Sequence, residues 1–541
     1  MFSKKRIKNS TLYSALFGII AGFLFSAGKV LDKTDSIQFS DPGLYLRMVI
    51  IAVISSFICF GLWTAWDFIV SKSVKETKAK RIPFPVMMGV QFLLWIPYWL
   101  SVYPGVFSYD AYDEWRMVAD GIYSSHHPLI HTLFLGGAVE GIHAITGNYN
   151  LGIAVYTIVQ MLLLSACFSY IIYRLNKRFH SFFMQVATLV YFSLQPVIAM
   201  FAIAAVKDTL FCAAEMAFFL LIFEFFRNRE EFLKDRNNVK ELAAFAFLTM
   251  ILRNNGLYIA LVCVVLILIF SIPYLKKYYK KLLLLIALIA VPYFLYIGPL
   301  SLAFRCKVYE PQEKLSVPLQ QMARVYKYNK DTLPKEETDL LMQYVPEENL
   351  EAYRATVSDF VKTEFNTEKY REDSASFYKL WLTWGKRYPM TYISSFLINT
   401  VDGWYPGAVI DGYRKEDLSS YFDYRVAPPG EEVVLIPFLH EKLDSISYNK
   451  ESQHGIFFLL FFSPGWFLLC FIHFWFYAIS RRYKSFSLAG LVHILHYATV
   501  LLGPMALVRY ELNFFYGIPV FIWCILEEYN GSKGKEDNLC E

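Results

Sequence analysis

Long apolar runs recur along the chain, and they restrict its possible folds more than any other feature of the sequence. A helix of about 20 apolar residues crosses the hydrocarbon core of a membrane. Runs of this kind occur near 11–30, 45–70, 82–103, 150–173, 181–203, 207–226, 257–275, 281–303, 455–479, 485–504 and 508–527. A shorter run, 241–252, predicts a helix that does not fully span. The pattern therefore predicts an all-α polytopic membrane protein with about twelve transmembrane helices.

The composition supports this class and excludes two others. Hydrophobic residues make up 56% of the 541 residues and charged residues only 18%, which is too apolar for an ordinary soluble globule. The net charge of +5 would suit a nucleic-acid-binding protein, but most Lys and Arg residues stand in short clusters between the apolar runs. Clusters in that position set the orientation of membrane helices. We therefore expect a lipid bilayer as a partner and no nucleic acid.

The basic clusters also predict the orientation of the chain, because positive loops stay in the cytoplasm. They lie at 72–81, 174–178, 227–240, 276–281 and 481–484. Alternating crossings put all of them on one side only if residues 128–146 do not cross, so we expect that segment to be a juxtamembrane helix at the interface. The basic N-terminal segment precedes an apolar run without a convincing cleavage site, which favours an uncleaved first helix. Both termini are then cytoplasmic.

Three parts of the chain follow from this topology. Residues 1–303 form an N-terminal transmembrane module that includes an extracytoplasmic loop at 104–149. Residues 304–454 are polar and rich in Tyr, and are long enough for an extracytoplasmic insert domain. Residues 455–541 form the C-terminal helices and a cytoplasmic tail, whose polar end from Asn530 is expected to be disordered.

The extracytoplasmic loop carries the sharpest local signal, an acidic motif after the third predicted helix. If the motif is helical, Asp110, Asp113 and Glu114 share one face. Clustered carboxylates repel one another, which suggests a general base with a raised pKa or a divalent-cation site. A solvated acidic turn is the alternative. His126 and His127 follow, before Pro128, where they either bind a phosphate or hydroxyl of a substrate or are surface histidines without a role.

Basic residues from distant parts of the chain are predicted to meet this loop at one leaflet. Each lies at a helix end, where a charged side chain can reach water, so each alone is weakly informative. Together they predict an anion site beside carboxylates. The residues concerned are Lys207, Asp208, Arg253, Asn254, Asn255, Arg509 and Tyr510. Gln320 and Arg324, at positions i and i+4 of the insert, are weaker candidates for the same surface.

The acidic motif from Tyr109 to Glu114, followed by His127-Pro128-Leu129, resembles the GT-C glycosyltransferases, such as the protein O-mannosyltransferases and the lipid A aminoarabinose transferases. The basic positions and the 316–324 run are similar to a multispanning branch of Gram-positive bacteria that we assign to this superfamily. Two features depart from the family. In related enzymes the long loop often follows the first transmembrane helix, whereas here it follows the third. The adjacent pair Asp113-Glu114 is also offset from Asp110. The sequence therefore does not assign which carboxylate corresponds to the family's catalytic acid residue.

The resemblance implies transfer of a sugar from a polyprenyl-phosphate carrier to a glycan or protein acceptor outside the cytoplasm, at a bacterial plasma membrane. Asp110 would act as the base, with inversion at the anomeric carbon. Asp113 or Glu114 would orient the acceptor or hold a metal, although family members that use a monophosphate carrier generally need none. Lys207, Arg253, Arg509 and Arg324 would bind the donor phosphate. The substrate-binding residues would be His126, His127, Asp208, Asn254, Asn255, Gln320 and Tyr510.

A transporter or flippase is the main alternative, because such proteins carry ionisable residues within their membrane helices. Glu215, His473, His493 and His496 lie inside apolar runs. A non-catalytic envelope scaffold is a third possibility. The sequence favours the transferase, since its denser polar cluster is predicted at one face of the membrane.

Overall fold

The structure is a computed structural model that describes residues 4–73, 81–308, 310–410 and 421–537. Most of the basic cluster predicted at 72–81 lies outside the described residues. Among those that are described, regular structure is helical, and extended segments form only isolated bridges such as that between Val106 and Ala204.

The first half of the chain forms fourteen helices in the described residues. They are α1 (Lys4–Thr34), α2 (Pro42–Ser73), α3 (Phe84–Ser101), α4 (Ala111–Ala119), α5 (Leu129–Thr146), α6 (Tyr149–Phe179), α7 (Phe182–Leu194), α8 (Pro196–Ala202), α9 (Lys207–Arg227), α10 (Arg229–Lys234), α11 (Arg236–Leu252), α12 (Gly256–Ser271), α13 (Leu275–Leu295) and α14 (Ser301–Ala303). The shorter predicted run at 241–252 is therefore the end of a 17-residue helix that begins at Arg236.

The second half begins with short helices and returns to longer ones. They are α15 (Ser316–Asn329), α16 (Lys335–Met342), α17 (Glu347–Glu351), α18 (Asp359–Lys362), α19 (Thr367–Glu372), α20 (Ser374–Arg387), α21 (Pro389–Trp404), α22 (Pro437–Tyr448), α23 (Gly455–Phe461), α24 (Pro464–Arg481), α25 (Lys484–Ala489), α26 (Leu491–Leu501) and α27 (Leu512–Asp537).

Seven helices in the described part of the chain are long and apolar enough to cross a membrane, or nine if each of two bent pairs is one span. The bent pairs are α7 with α8, and α23 with α24, with bends of 58° and 57°. The protein is thus an all-α membrane protein. The count of about twelve crossings stays a prediction, because length and composition do not single out α25, α26 or α27, and because 256–303 is one continuous candidate.

Helix α9 is the central element of the fold. It packs against α6, α11, α25 and α27, and 94% of its most apolar stretch is buried inside the protein. At its C-terminal end, buried Glu224 pairs with Arg174 of α6, and Arg227 lies 3.3 Å from Glu528 of α27. Since the 21 residues of α9 span about 31 Å, this ion-pair cluster and Lys207 lie at opposite ends of the helix.

The insert contains a second apolar core, which is separate from the main one. It is formed by residues between Leu315 and Tyr392, with Trp384 and Tyr344 fully buried. From Ile398 onward the chain returns to the main core. The prediction of a single domain at 304–454 stays a prediction.

The predicted disorder of the tail is wrong for the residues that are described there. Helix α27 continues to Asp537, beyond the predicted start of the tail at Asn530. Contacts just before Asn530 tie the helix to its neighbours, because a carboxylate oxygen of Glu528 accepts hydrogen bonds from the backbone of Ser485 and Phe486. Residues 538–541 lie outside the described residues.

Candidate active site

Backbone hydrogen bonds to two distant segments fix the position of Asp110 at the start of α4. The amide of Val106 donates to the carbonyl of Ile203 at 2.9 Å, and the amide of Ala427 donates to the carbonyl of Phe107 at 2.7 Å. The residues before Asp110 are therefore held between the start of α9 and the segment before α22. Chain segments far apart in sequence meet at this carboxylate.

Asp110 is the centre of a cluster of basic side chains. Its Oδ2 atom contacts Lys207 Nζ and lies 3.1 Å from Arg509 Nη1, while Oδ1 lies 3.2 Å from Arg509 Nη2. His127 Nδ1 is 3.8 Å away. Burial raises the pKa of Asp110, but Arg509, Lys207 and His127 outweigh it and hold the pKa well below its usual range. The side chain is 26% exposed, so a ligand can reach it.

Glu114 lies beneath Asp110 and ends a buried hydrogen-bonded chain. Its Oε2 atom is 2.6 Å from His131 Nδ1, and its Oε1 atom is 3.8 Å from Lys207 Nζ. His131 Nε2 is 2.8 Å from the hydroxyl of Tyr156, which donates to Gln160 Oε1. Burial raises the pKa of Glu114, but His131 and Lys207 lower it to about 2. Glu114 is therefore an ionised carboxylate within the protein.

Asp113 does not join the other two carboxylates. It is exposed and lines a separate cleft of about 340 Å³ with Arg116, Asp120 and His126. Burial and the charge of Asp110 raise its pKa. The predicted shared face is wrong at this position, because Asp110 and Glu114, one helical turn apart, point inward while Asp113 points to solvent.

The two predicted histidines differ in environment. His127 is buried, and its Nδ1 atom lies 3.0 Å from Lys207 Nζ. Burial and the charge of Lys207 lower its pKa to about 4. His126 is exposed, and its backbone carbonyl accepts a hydrogen bond of 3.2 Å from Asn254. The break between α11 and α12 is thereby attached to the histidine pair.

A second ion-pair group lies beside Asp110. Arg253 Nη1 is 2.7 Å from Asp208 Oδ1, and Arg509 Nη1 is 3.7 Å from Asp208 Oδ2. The ring of Tyr510 is in contact with both guanidinium groups, at 4.2 Å from Arg253 and 5.0 Å from Arg509. The ring of Tyr109 covers Arg509 at 4.7 Å. Lys207, Arg253 and Arg509 are thus brought together as predicted, but each is already paired with a carboxylate.

The remaining predicted residues divide between the site and the insert. Asn255 donates to Thr499 Oγ1 at 2.6 Å, which joins the α11–α12 break to α26. Gln320 donates to the backbone carbonyls of Arg354 and Ala355 within the insert. Arg324 donates to the hydroxyl of Tyr353 and to the carbonyl of Asp35, which attaches the insert to the loop after α1. Neither Gln320 nor Arg324 lines the cavity that contains Asp110.

The cavity that contains Asp110 has a volume of about 760 Å³. The insert and the segment before α22 contribute Glu313, Asp359, Asp423 and Arg425 to its walls. A neighbouring groove of about 770 Å³ runs along α12, α13 and α14; its walls are mostly apolar, and Arg305, Lys307 and Lys314 also line it. The two spaces share part of their lining, namely His127, Asn254, Asn255, Thr499 and Leu502. A ligand with a polar head and an apolar tail can therefore occupy both.

The divalent-cation prediction concerns the same carboxylates. Asp110, Glu114 and His127 offer ligand atoms within 4.8 Å of one another, and such a set can hold a transition metal. Lys207 Nζ already contacts Asp110 and lies within 4 Å of the ligand atoms of Glu114 and His127. A metal ion at this position would have to displace the ammonium group of Lys207.

Sequence reasoning missed the residues beneath the site. His131, Thr132, Tyr156 and Gln160 hold Glu114 or its partners, and none was a candidate. Spacing offers a signal for them in hindsight. His131 lies one helical turn after His127, and Tyr156 and Gln160 share one face of α6.

Comparison with known proteins places the chain in one family. No curated protein and no solved structure matches it significantly. A family model matches residues 119–406, which is just over half of the chain. The match includes Lys207 and Arg253, begins after Asp110 and ends before Arg509. The chain therefore belongs to DUF6020, a family of unknown function.

Proposed function

We propose that the protein is a GT-C-type glycosyltransferase that moves a sugar from a polyprenyl-phosphate donor to an extracytoplasmic glycan or protein acceptor. The observation that carries the proposal is the position of Asp110. This carboxylate contacts Lys207 and Arg509 in a polar cavity that continues into an apolar groove. One space thus contains a base, cations for a phosphate and room for a lipid chain.

The orientation of the site supports action outside the cytoplasm. Arg174 and Arg227 belong to two basic clusters, and they lie at the end of α9 opposite to Lys207. Because basic clusters stay in the cytoplasm, Asp110 then faces the outer side of a bacterial plasma membrane, and both termini are cytoplasmic. Helix α5 is one of the helices long and apolar enough to cross a membrane, and its position at the interface is part of this proposal. Only a helix that does not cross there leaves all the basic clusters on one side. Its His131 and His143 rings contact Tyr156 and Tyr149, near the start of α6.

The proposed topology retains about twelve crossings. The segment 256–303 would measure about 72 Å as one straight helix, more than twice the hydrocarbon thickness of a membrane. It also has a kink at Tyr278, within the basic cluster at 276–281. Two crossings joined at that cluster account for both observations.

The donor phosphate would bind among the cations, and its prenyl chain would lie in the groove. Tyr258, Tyr293, Ile297 and Leu302 supply apolar walls to that groove. Arg509 can offer two parallel N–H groups to a phosphate, as it now does to Asp110. Preorganised cations in a partly dry cavity stabilise the negative charge of a departing phosphate.

The reaction would be a direct displacement. An acceptor hydroxyl attacks the anomeric carbon, and its proton passes to Asp110. The bond between that carbon and the phosphate oxygen breaks, and both electrons leave with the polyprenyl phosphate. Attack from the face opposite the leaving group inverts the anomeric carbon. Glu114 does not contact the substrate in this scheme, because it is buried and holds Lys207 in place.

Transfer of a labelled sugar tests the proposal. Purified protein with a polyprenyl-phosphate sugar and an envelope acceptor fraction should show turnover, and Asp110→Asn should lower it by at least about a hundredfold, since a general base contributes 10² to 10⁴. Asp339→Asn is the matched control, because Asp339 is exposed on α16 of the insert. Full activity of Asp110→Asn, with wild-type folding, would reject Asp110 as the base.

A transporter is the second candidate, and one observation favours it. Glu215 lies among His493, His496 and Asn513, all fully buried within the helical core. None of these four residues lines the three cavities described above. Uptake or lipid flipping in vesicles that survives Asp110→Asn but not Glu215→Gln would favour this candidate over the transferase.

A further inference from the structure

His127 occupies the point where three spaces meet. It lines the cavity of Asp110, the apolar groove along α12 to α14, and the small cleft beside Asp113. Among the described residues, it is the one common to the lining of all three. A ligand whose polar head lies in the cavity and whose tail lies in the groove passes the residues that the two spaces share, and His127 is one of them.

Lys207 determines which ring nitrogen of His127 carries the proton. An ammonium group has only donors, so Nδ1, 3.0 Å from Lys207 Nζ, must accept. A neutral imidazole then has its hydrogen on Nε2. This atom makes no hydrogen bond within the described part of the chain and is not among the buried atoms that lack a partner. The N–H of Nε2 is therefore available to a ligand.

His127 also stays uncharged at neutral pH. The titratable groups that face it are Lys207, Asp110, Glu114 and His126. Burial and Lys207 lower its pKa to about 4, against the opposing effect of the two carboxylates. The ring thus presents a fixed neutral donor, in contrast to Arg253 and Arg509, which are already paired with carboxylates.

We propose that His127 is a neutral hydrogen-bond donor that recognises an anionic phosphate oxygen where the apolar groove opens into the cavity. The lipid attached to that phosphate rests on the proposed function, whereas the donor role of His127 needs only the phosphate. His127 is in this scheme a binding residue, and it does not take a proton from the acceptor.

Two substitutions separate the two ring nitrogens. His127→Gln keeps an amide donor near the position of Nε2, whereas His127→Asn keeps polar atoms near Nδ1 and removes the donor at Nε2. His143→Asn is the matched control, because His143 lies on α5, which begins two residues after His127, stacks on Tyr149 and lines none of the three cavities. Thermal unfolding of each variant in micelles excludes loss of fold.

Binding of three probes to the full-length protein in micelles gives the readout. The probes are undecaprenyl phosphate, undecaprenol and inorganic phosphate. A hydrogen bond to a charged group is worth about 1.5 to 3 kcal/mol, so His127→Asn should bind undecaprenyl phosphate about 10- to 150-fold more weakly. The dissociation constant of His127→Gln for undecaprenyl phosphate should stay within about threefold of the wild-type value. Undecaprenol should not distinguish the variants.

The pH dependence distinguishes a neutral donor from a charged histidine. Titration of the phosphate near pH 6 affects all variants alike. The wild type and His127→Gln should therefore show the same pH dependence between pH 8 and 5.5. A rise in affinity as the pH falls through 6.5, in the wild type alone, would show that His127 binds as an imidazolium and would overturn the proposal.

Other outcomes separate this proposal from the proposed function. If only inorganic phosphate binds, with the same difference between Gln and Asn, the role of His127 stands and the lipid donor is rejected. If His127→Gln binds phosphate as weakly as His127→Asn, or if His127→Asn binds as tightly as the wild type, the donor role of Nε2 is rejected. This holds whatever the rate of sugar transfer. If no probe binds to the wild type, both proposals fail.

Discussion

The buried pair of Glu114 and His131 makes a quantitative test of the charge assignment at the site. Both side chains are at most 1% exposed, and their nearest atoms are 2.6 Å apart. Thr132 donates a further hydrogen bond of 3.2 Å to the same carboxylate oxygen. Glu114→Gln keeps the shape of the side chain and removes its charge. The substitution therefore isolates the contribution of ionised Glu114 to folding.

The expected size follows from the pKa of Glu114. A fall from 4.5 to about 2 corresponds to about 3 kcal/mol, at 1.36 kcal/mol for each pKa unit. Because the folded pKa is lowered, this stability is present above pH 4.5 and is lost as the pH falls toward 2. The free energy of unfolding of the wild type should exceed that of Glu114→Gln by about 3 kcal/mol at pH 7, and by about 1 kcal/mol at pH 3.

Unfolding by denaturant in detergent micelles at pH 7, 5, 4 and 3 measures these differences. Asp120→Asn is the control at the end of the same helix, because Asp120 directly follows α4 and forms an exposed pair with Arg116. Such a pair contributes less than about 1 kcal/mol, so this variant should differ little from the wild type. If the difference in unfolding free energy between the wild type and Glu114→Gln is the same at pH 7 and pH 3, Glu114 is not an ionised buried carboxylate.

Three further predictions concern the ligands of the site. Chelation of divalent cations should leave sugar transfer by the wild type unchanged. The Lys207→Ala variant should bind Mn²⁺ detectably by electron paramagnetic resonance. Stoichiometric binding of Mn²⁺ to the wild type would show that Lys207 does not occupy the cation position. Arg509→Lys should weaken the binding of undecaprenyl phosphate by about tenfold, because a bidentate contact becomes a single one, and equal affinities would exclude a phosphate contact. Leu257→Trp should obstruct the groove and weaken undecaprenyl phosphate but not inorganic phosphate; if both probes weaken equally, the groove does not hold the chain.

The sequence predicted the helical membrane class because its apolar runs are a property of local composition. It also predicted that Lys207 and Arg509 would approach Asp110, since each is a charged residue at the end of an apolar run. Boundaries were harder to predict. Gln195 and Pro196 divide the run 181–203 into two helices at an angle of 58°, and such a bend depends on packing as well as on the Pro.

The partners of the charged residues could not be predicted from the sequence. Arg324 resembles a phosphate ligand by type and position, yet its guanidinium group attaches the insert to Asp35. Asp113 lies between Asp110 and Glu114 in sequence, and only the packing of α4 on α5 decides that it faces solvent. Burial of His131 next to Glu114 is likewise a tertiary contact with no signature in either local segment.

The pairing of the charges bears on how the proposed reaction would begin. Without a bound sugar donor, two N–H groups of Arg509 form hydrogen bonds to Asp110. The pKa of that carboxyl is then held well below the range of an effective base. Arg509 cannot offer the same two groups to a phosphate while it holds Asp110. A sugar donor whose phosphate binds Arg509 would leave Lys207 as the cation in contact with Asp110. The pKa of Asp110 would then rise, because less positive charge would offset the effect of burial. In the proposed transferase, binding of the donor phosphate would therefore itself prepare Asp110 to accept the proton of the acceptor hydroxyl.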